Sequence, residues 1–119
     1  MALYETTFLN YPIRIEMQKY GDDVNVICTG GIKPHLGGCA MAIPYLRCNG
    51  KPSAAVSTLS APGHQDSILA ADIAKNLCKQ FDRTVFVQCG IHYEKLQPDQ
   101  LKRLQETVLS AFNEVEEYL

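Results

Sequence analysis

The 119-residue chain has no tryptophan, three histidines, and no cysteine pair spaced as C-x-x-C. No apolar run approaches the roughly 18 residues that suggest a membrane span. Lysine and arginine never cluster, and eleven Lys+Arg against thirteen Asp+Glu leave a formal charge of −2. That balance argues against nucleic acid or a membrane surface as the main partner. Without short-spaced Cys or His pairs, the chain also lacks the signature of a structural zinc site. The start, Met1-Ala2-Leu3-Tyr4-Glu5, has neither the charged region nor the apolar core of a secretory signal. Five cysteines, an odd count, are then expected to be reduced thiols in a cytoplasmic protein.

Against that sparse background one stretch stands out, Thr29-Gly30-Gly31-Ile32-Lys33-Pro34-His35-Leu36-Gly37-Gly38. It holds four of the eight glycines. Glycine allows positive φ and close backbone approach, while proline fixes the local turn. The other histidines occur in Pro62-Gly63-His64-Gln65-Asp66 and Cys89-Gly90-Ile91-His92-Tyr93, so each histidine adjoins a glycine-bearing break. None lies within an apolar run.

The length fits one domain over residues 1–119, enough to bury about two-thirds of the unfolded surface. Leu3–Leu9 reads as a strand with blurred alternation, broken by Asn10-Tyr11-Pro12. Ile13, Ile15 and Met17 alternate with Arg14, Glu16 and Gln18, the period of a half-buried strand. Tyr20-Gly21-Asp22-Asp23 signals a turn into Val24, Val26 and Cys28. Cys39–Ile43 is small and apolar on both faces, as a central strand would be, and Pro44 is expected to close it. Ala54–Ser60 is a further strand, the most polar of the set.

The period then changes. Asp66 is a good N-cap, and Leu69, Ile73, Leu77 and Phe81 recur every fourth residue, which predicts an amphipathic helix. Thr84–Cys89 reads as a buried strand. Pro98 suits the first turn of a last helix, with Leu101, Leu104, Val108, Ala111, Phe112 and Val115 as its buried stripe. Its acidic tail, Glu114, Glu116 and Glu117, opposes the helix dipole. The expected fold is α+β: a largely antiparallel sheet of about six strands with two helices packed on it, in the order β-β-β-β-β-α-β-α.

Several chemistries compete for the three loops. Gly31–Gly37 is not a Walker loop, because its spacing is one too long and Gly38-Cys39 replaces Lys-Ser/Thr. Gly63-His64-Gln65-Asp66 precedes a helix whose free N–H groups favour an anion, with Lys33 or His64 adding charge; the plain alternative is a turn and a cap. A metal held by His35, His64 and His92 would make a small metal-assisted hydrolase or decarboxylase, although about 28 residues separate successive histidines. A Cys89–His92 pair fails as a nucleophile, since i and i+3 point to opposite faces of a strand. Loops that only shape a surface would fit a structural assembly chaperone without a ligand.

Taken together, Gly-Gly-x-Lys-Pro-His-Leu-Gly-Gly, Pro-Gly-His-Gln-Asp and Gly-Ile-His-Tyr-Glu resemble a family of small accessory proteins. These are the prenylated-flavin chaperones, also called the D subunits of gallate and hydroxyaryl-acid decarboxylases. The resemblance runs from about Ile13 to Leu104. Leu36 stands where a β-branched residue is common, Gly38-Cys39 where Ala-Val is common, and Glu94 where Asp is common. The resemblance implies a fold similar to proteasome-assembly chaperones and a homodimer. It also implies binding of reduced prenylated FMN, made by a flavin prenyltransferase and passed to a UbiD-type decarboxylase. On this reading Lys33, Gly63, His64, Gln65 and Asp66 serve the phosphate. The pairs Gly30-Gly31 and Gly37-Gly38 admit the ring or ribityl chain, and His35 and His92 meet its polar edges.

Overall fold

The structure, a computed structural model, describes residues 1–62 and 66–119, apart from the side chain of Glu116. Five strands come first: β1 (Ala2–Phe8), β2 (Tyr11–Tyr20), β3 (Asp23–Gly31), β4 (Gly38–Leu46) and β5 (Pro52–Ser60). Helix α1 (Asp66–Phe81), strand β6 (Val85–His92) and helix α2 (Pro98–Phe112) follow. This is the expected α+β order. The six strands form one sheet in the order β1-β2-β3-β6-β4-β5. All neighbours are antiparallel except β3 and β6, which run parallel. The last strand in sequence therefore sits at the centre.

The alternation in β2 does what a half-buried strand requires: Ile13, Ile15 and Met17 are fully buried. Val24, Val26 and Cys28 on β3, and Val85, Val87 and Cys89 on β6, continue the same face. Both helices cover it. Helix α1 packs over β4, β5 and β6, and α2 lies against β1 and β2. The predicted stripe of α1 is buried at Leu69, Ile73 and Leu77.

Three local expectations change. The first break is a two-residue turn, Leu9-Asn10, with φ of 49° and 68°, so Tyr11 and Pro12 belong to β2. Strand β4 runs through Pro44 to Leu46, because β6 accompanies it only as far as Ala42. Beyond that point one side of β4 is open, and a proline lacking an N–H is tolerated there. Helix α2 ends at Phe112; Val115 is buried, but in the turns that lead to a short 3-10 segment, Glu116–Tyr118. No helix among the described residues is long and apolar enough to cross a membrane.

Candidate functional site

Strands β3 and β6 end side by side, with Gly31 opposite His92. The loop 32–37 leaves β3 there and folds back over the end of β6. Ile32 N–H donates to the His92 carbonyl (2.8 Å), and Gly37 N–H donates to the Cys89 carbonyl (2.9 Å). Two glycines make this fold-back possible. Gly31 has φ of 79° and lies against the His92 carbonyl; Gly90 lies directly beneath the His35 carbonyl, where a Cβ would overlap backbone atoms. Gly30 pairs with Ile13 and Ile91 inside the sheet, while Gly38 opens β4 opposite Ser60 and Cys89.

One carboxylate ties these pieces together. Asp66, at the start of α1, is 8% exposed. Its Oδ1 accepts the Ile91 N–H at 3.0 Å, and its Oδ2 lies 3.2 Å from Nε2 of His35. The residue expected to cap its own helix thus joins three segments: α1, β6 and the loop. Nδ1 of His35 lies 3.0 Å from the Lys33 carbonyl. Both ring nitrogens are thus engaged by neighbouring groups, which fixes the orientation of the ring. The His92 ring stands edge-on to His35, with centroids 6.2 Å apart.

Of the residues selected from sequence, the fold gathers Gly31, His35, Gly37, Asp66 and His92 at this corner, with Gly30 and Gly38 on the strands leading to it. Lys33 is exposed on the loop. Gly63, His64 and Gln65 lie outside the described residues. Among the described residues, no group of three His, Cys, Asp or Glu side chains converges as metal ligands would.

The corner opens onto a cleft of about 310 Å³ between the start of α1, the end of β6 and α2. Asp66, His92 and Gln105 give it polar points, and aliphatic side chains, Leu101 and Leu104 among them, make its walls. Leu101 was expected inside the helix stripe. It is 37% exposed at the cleft instead. Tyr93 forms another wall, and its hydroxyl donates to the Phe8 carbonyl at 2.6 Å. Burial, and then Tyr11, push its phenol upward. Behind the corner, Cys28 and Cys89 pair across β3 and β6. Their mutual hydrogen bond and burial push the Cys89 thiol far up, so it behaves as an inert core group.

The family model described as the prenylated flavin chaperone LpdD-like domain matches residues 7–119. The chain belongs to this family. As a prenylated flavin chaperone by family, it has the loop and cleft just described as its candidate ligand site. Its fold is similar to a crystal structure of a novel chaperone complex for yeast 20S proteasome assembly. That likeness has a TM-score of 0.54 at 14% identity and covers 98% of this chain and 95% of that one. At this identity the likeness concerns the fold alone. No curated protein matches the chain in sequence.

Proposed function

We propose that this chain binds reduced prenylated FMN at the corner formed by loop 32–37, Asp66 and His92, and delivers it to a UbiD-type hydroxyaryl-acid decarboxylase. A flavin prenyltransferase is the source of the cargo. The observation that carries the reading is the Asp66 clamp. A buried carboxylate holds His35 and the end of β6 in place beside a cleft of mixed polar and aliphatic lining, the arrangement of a preformed ligand site. Lys33 serves the phosphate from the exposed loop, and the sequence motif Gly63-His64-Gln65 supplies the further candidates for it. His92 supplies a hydrogen bond to the ring, His35, engaged by Lys33 and Asp66, holds the loop in place, and the glycines of the loop bring its backbone close.

The protein works in the cytoplasm as a homodimer of single-domain subunits. The sheet face away from the helices supports the pairing. There Leu36, Met41, Ile43, Tyr45 and Leu59 are all more than 40% exposed. Large apolar side chains gathered on one face in this way mark an interaction surface. Strands β4 and β5 carry no charged residue, and β5 is an edge strand. A long uncharged edge beside an apolar face calls for a covering partner, and a second copy presents the same surface.

The test is an anaerobic titration with reduced prenylated FMN, with plain FMN as the control. Saturable binding of one cofactor per subunit is expected, weakened at least tenfold in His35→Ala. Absence of binding to either flavin by the wild-type protein would discard the carrier reading.

A further inference from the structure

We infer that the open edge of β1 takes up an extended segment of another protein, one that carries lysine or arginine at alternate positions. The proposal goes beyond the carrier reading and does not depend on it. It shares no residue with the corner of loop 32–37, Asp66 and His92. Two features of the edge carry it.

The first is the set of main-chain groups that the sheet leaves over. Among the described residues, β1 has β2 on one side and no strand on the other. The two-residue turn Leu9-Asn10 makes Phe8 and Tyr11 the closing pair of a hairpin, and such a pair exchanges hydrogen bonds. Bonded and non-bonded pairs then alternate along the strand. Thr6 and Tyr4 turn their N–H and C=O groups to β2, while those of Thr7, Glu5 and Leu3 point to the empty side. Native edges are usually blunted by charge, proline or a bulge. Strand β1 has an unbroken register and no proline, and its single charged residue, Glu5, is held by Arg14 at 3.2 Å. The edge is open to a seventh strand.

The second is the groove beside that edge. A cavity of about 550 Å³ lies between the helix-side residues Tyr4, Thr6 and Phe8 of β1 and the face of α2 that carries Arg103, Glu106 and Glu114. The Arg103 guanidinium stands over the Phe8 ring, 5.7 Å from its centre. Neither Glu106 nor Glu114 forms an ion pair among the described residues. Both are exposed, so they decide which segment binds more than how tightly, and the main-chain ladder supplies the affinity. A strand added to β1 places every second side chain on this side of the sheet. Glu106 and Glu114 lie about 12 Å apart along the helix, and strand positions i and i+4 about 13 Å apart. Alternating basic residues match that spacing.

A second copy of this chain does not answer the description. Paired through β1, it would offer Ala2, Tyr4, Thr6 and Phe8 to the groove, with no cation among them. The other edge, β5, has no charge on it or on its neighbour β4. It gives no reason to select a basic segment.

The probe is a short synthetic peptide of alternating lysine and threonine, with glutamate in place of lysine as the control. NMR reads both binding and amide exchange. In the free protein the amides of Leu3, Glu5 and Thr7 are expected to exchange fast, and the lysine peptide should slow them at least tenfold. The glutamate peptide should bind at least tenfold more weakly. The double substitution Glu106→Lys, Glu114→Lys should reverse that preference. A fully N-methylated lysine peptide keeps its charges and should lose binding.

Both peptides bound alike, or neither bound, would overturn the inference. So would N-methylation without effect, which would mean attraction by charge alone. Slow exchange of the three amides in the peptide-free protein would overturn it too, by giving the edge to a second copy. None of these outcomes bears on flavin binding.

Discussion

The two halves of the open sheet face are built on opposite principles. On β1 and β2 the outward positions hold Glu5, Arg14, Glu16 and Gln18. Arg14 reaches Glu16 at 2.9 Å and Glu5 at 3.2 Å, and both carboxylates help to raise the Arg14 guanidinium. On β4 and β5 the same positions hold Met41, Ile43, Tyr45 and Leu59, with no charge on either strand. Both halves lie in one continuous sheet with the helices on the other side. The first half is finished with solvent in mind and the second is not. The candidate site lies at the seam between them, where β3 and β6 run parallel.

Changes at the seam, in each half and beside the site should separate these roles. The largest effect is expected at the seam itself. In Gly90→Ala the new methyl group meets the His35 carbonyl, and backbone must shift to make room. A loss of about 3 kcal/mol in urea unfolding is expected, together with loss of flavin binding. A stability within 0.5 kcal/mol of wild type would show that the loop can lift from β6 at little cost.

Next comes the uncharged half. Met41→Asp places one carboxylate in the middle of it and should raise the dissociation constant of the proposed dimer about 100-fold, roughly 2.7 kcal/mol. Sedimentation equilibrium reads this directly: a monomeric wild type would discard the proposed dimer, and a dimer unaltered by the substitution would move the interface elsewhere. Tyr93→Phe removes a hydrogen bond to Phe8 but keeps the ring contacts, including the edge-on approach to Phe8 at 5.6 Å. A loss of about 1 kcal/mol is expected in thermal or chemical unfolding. The smallest effect belongs to the charged half: Arg14→Ala breaks the ion pairs to Glu5 and Glu16 on a solvent-facing surface and should leave the unfolding midpoint essentially where it was. A larger loss there would erase the contrast between the halves.

Local pattern made much of this fold readable. Ile13, Ile15 and Met17 alternate within one strand, and Leu69, Ile73 and Leu77 recur within one helix, so neighbours in sequence carry the signal. The insertion of β6 between β3 and β4 has no such signal, because parallel pairing joins residues about 60 positions apart. The same distance limit hid the clamp. The neighbours of Asp66 in the chain suggested a cap; its contact with His35, 31 residues earlier, left no mark in that local pattern. The glycines of 29–38 announced a tight loop. The sequence did not reveal that Gly90 leaves room for it. Leu101 fitted a helix stripe by spacing, and only the position of α2 over the end of β6 turns it into a cleft wall. An aliphatic lip residue and a core residue have the same signature in a helical wheel.

The central position of β6 also has a meaning for synthesis. While residues 1–84 emerge, the chain can pair β1 with β2 and β3, and β4 with β5. That leaves two hairpin-like pieces with open inner edges on β3 and β4. Only when Val85–His92 arrives can it fill both edges, and the same strand supplies the carbonyls and the Ile91 N–H that hold loop 32–37 and Asp66 in place. Late, long-range pairing of this kind is slow compared with hairpin formation. A nascent or truncated chain that stops short of β6 thus has neither a closed sheet nor the candidate corner, and under the proposed carrier role loading would wait for β6 to be made.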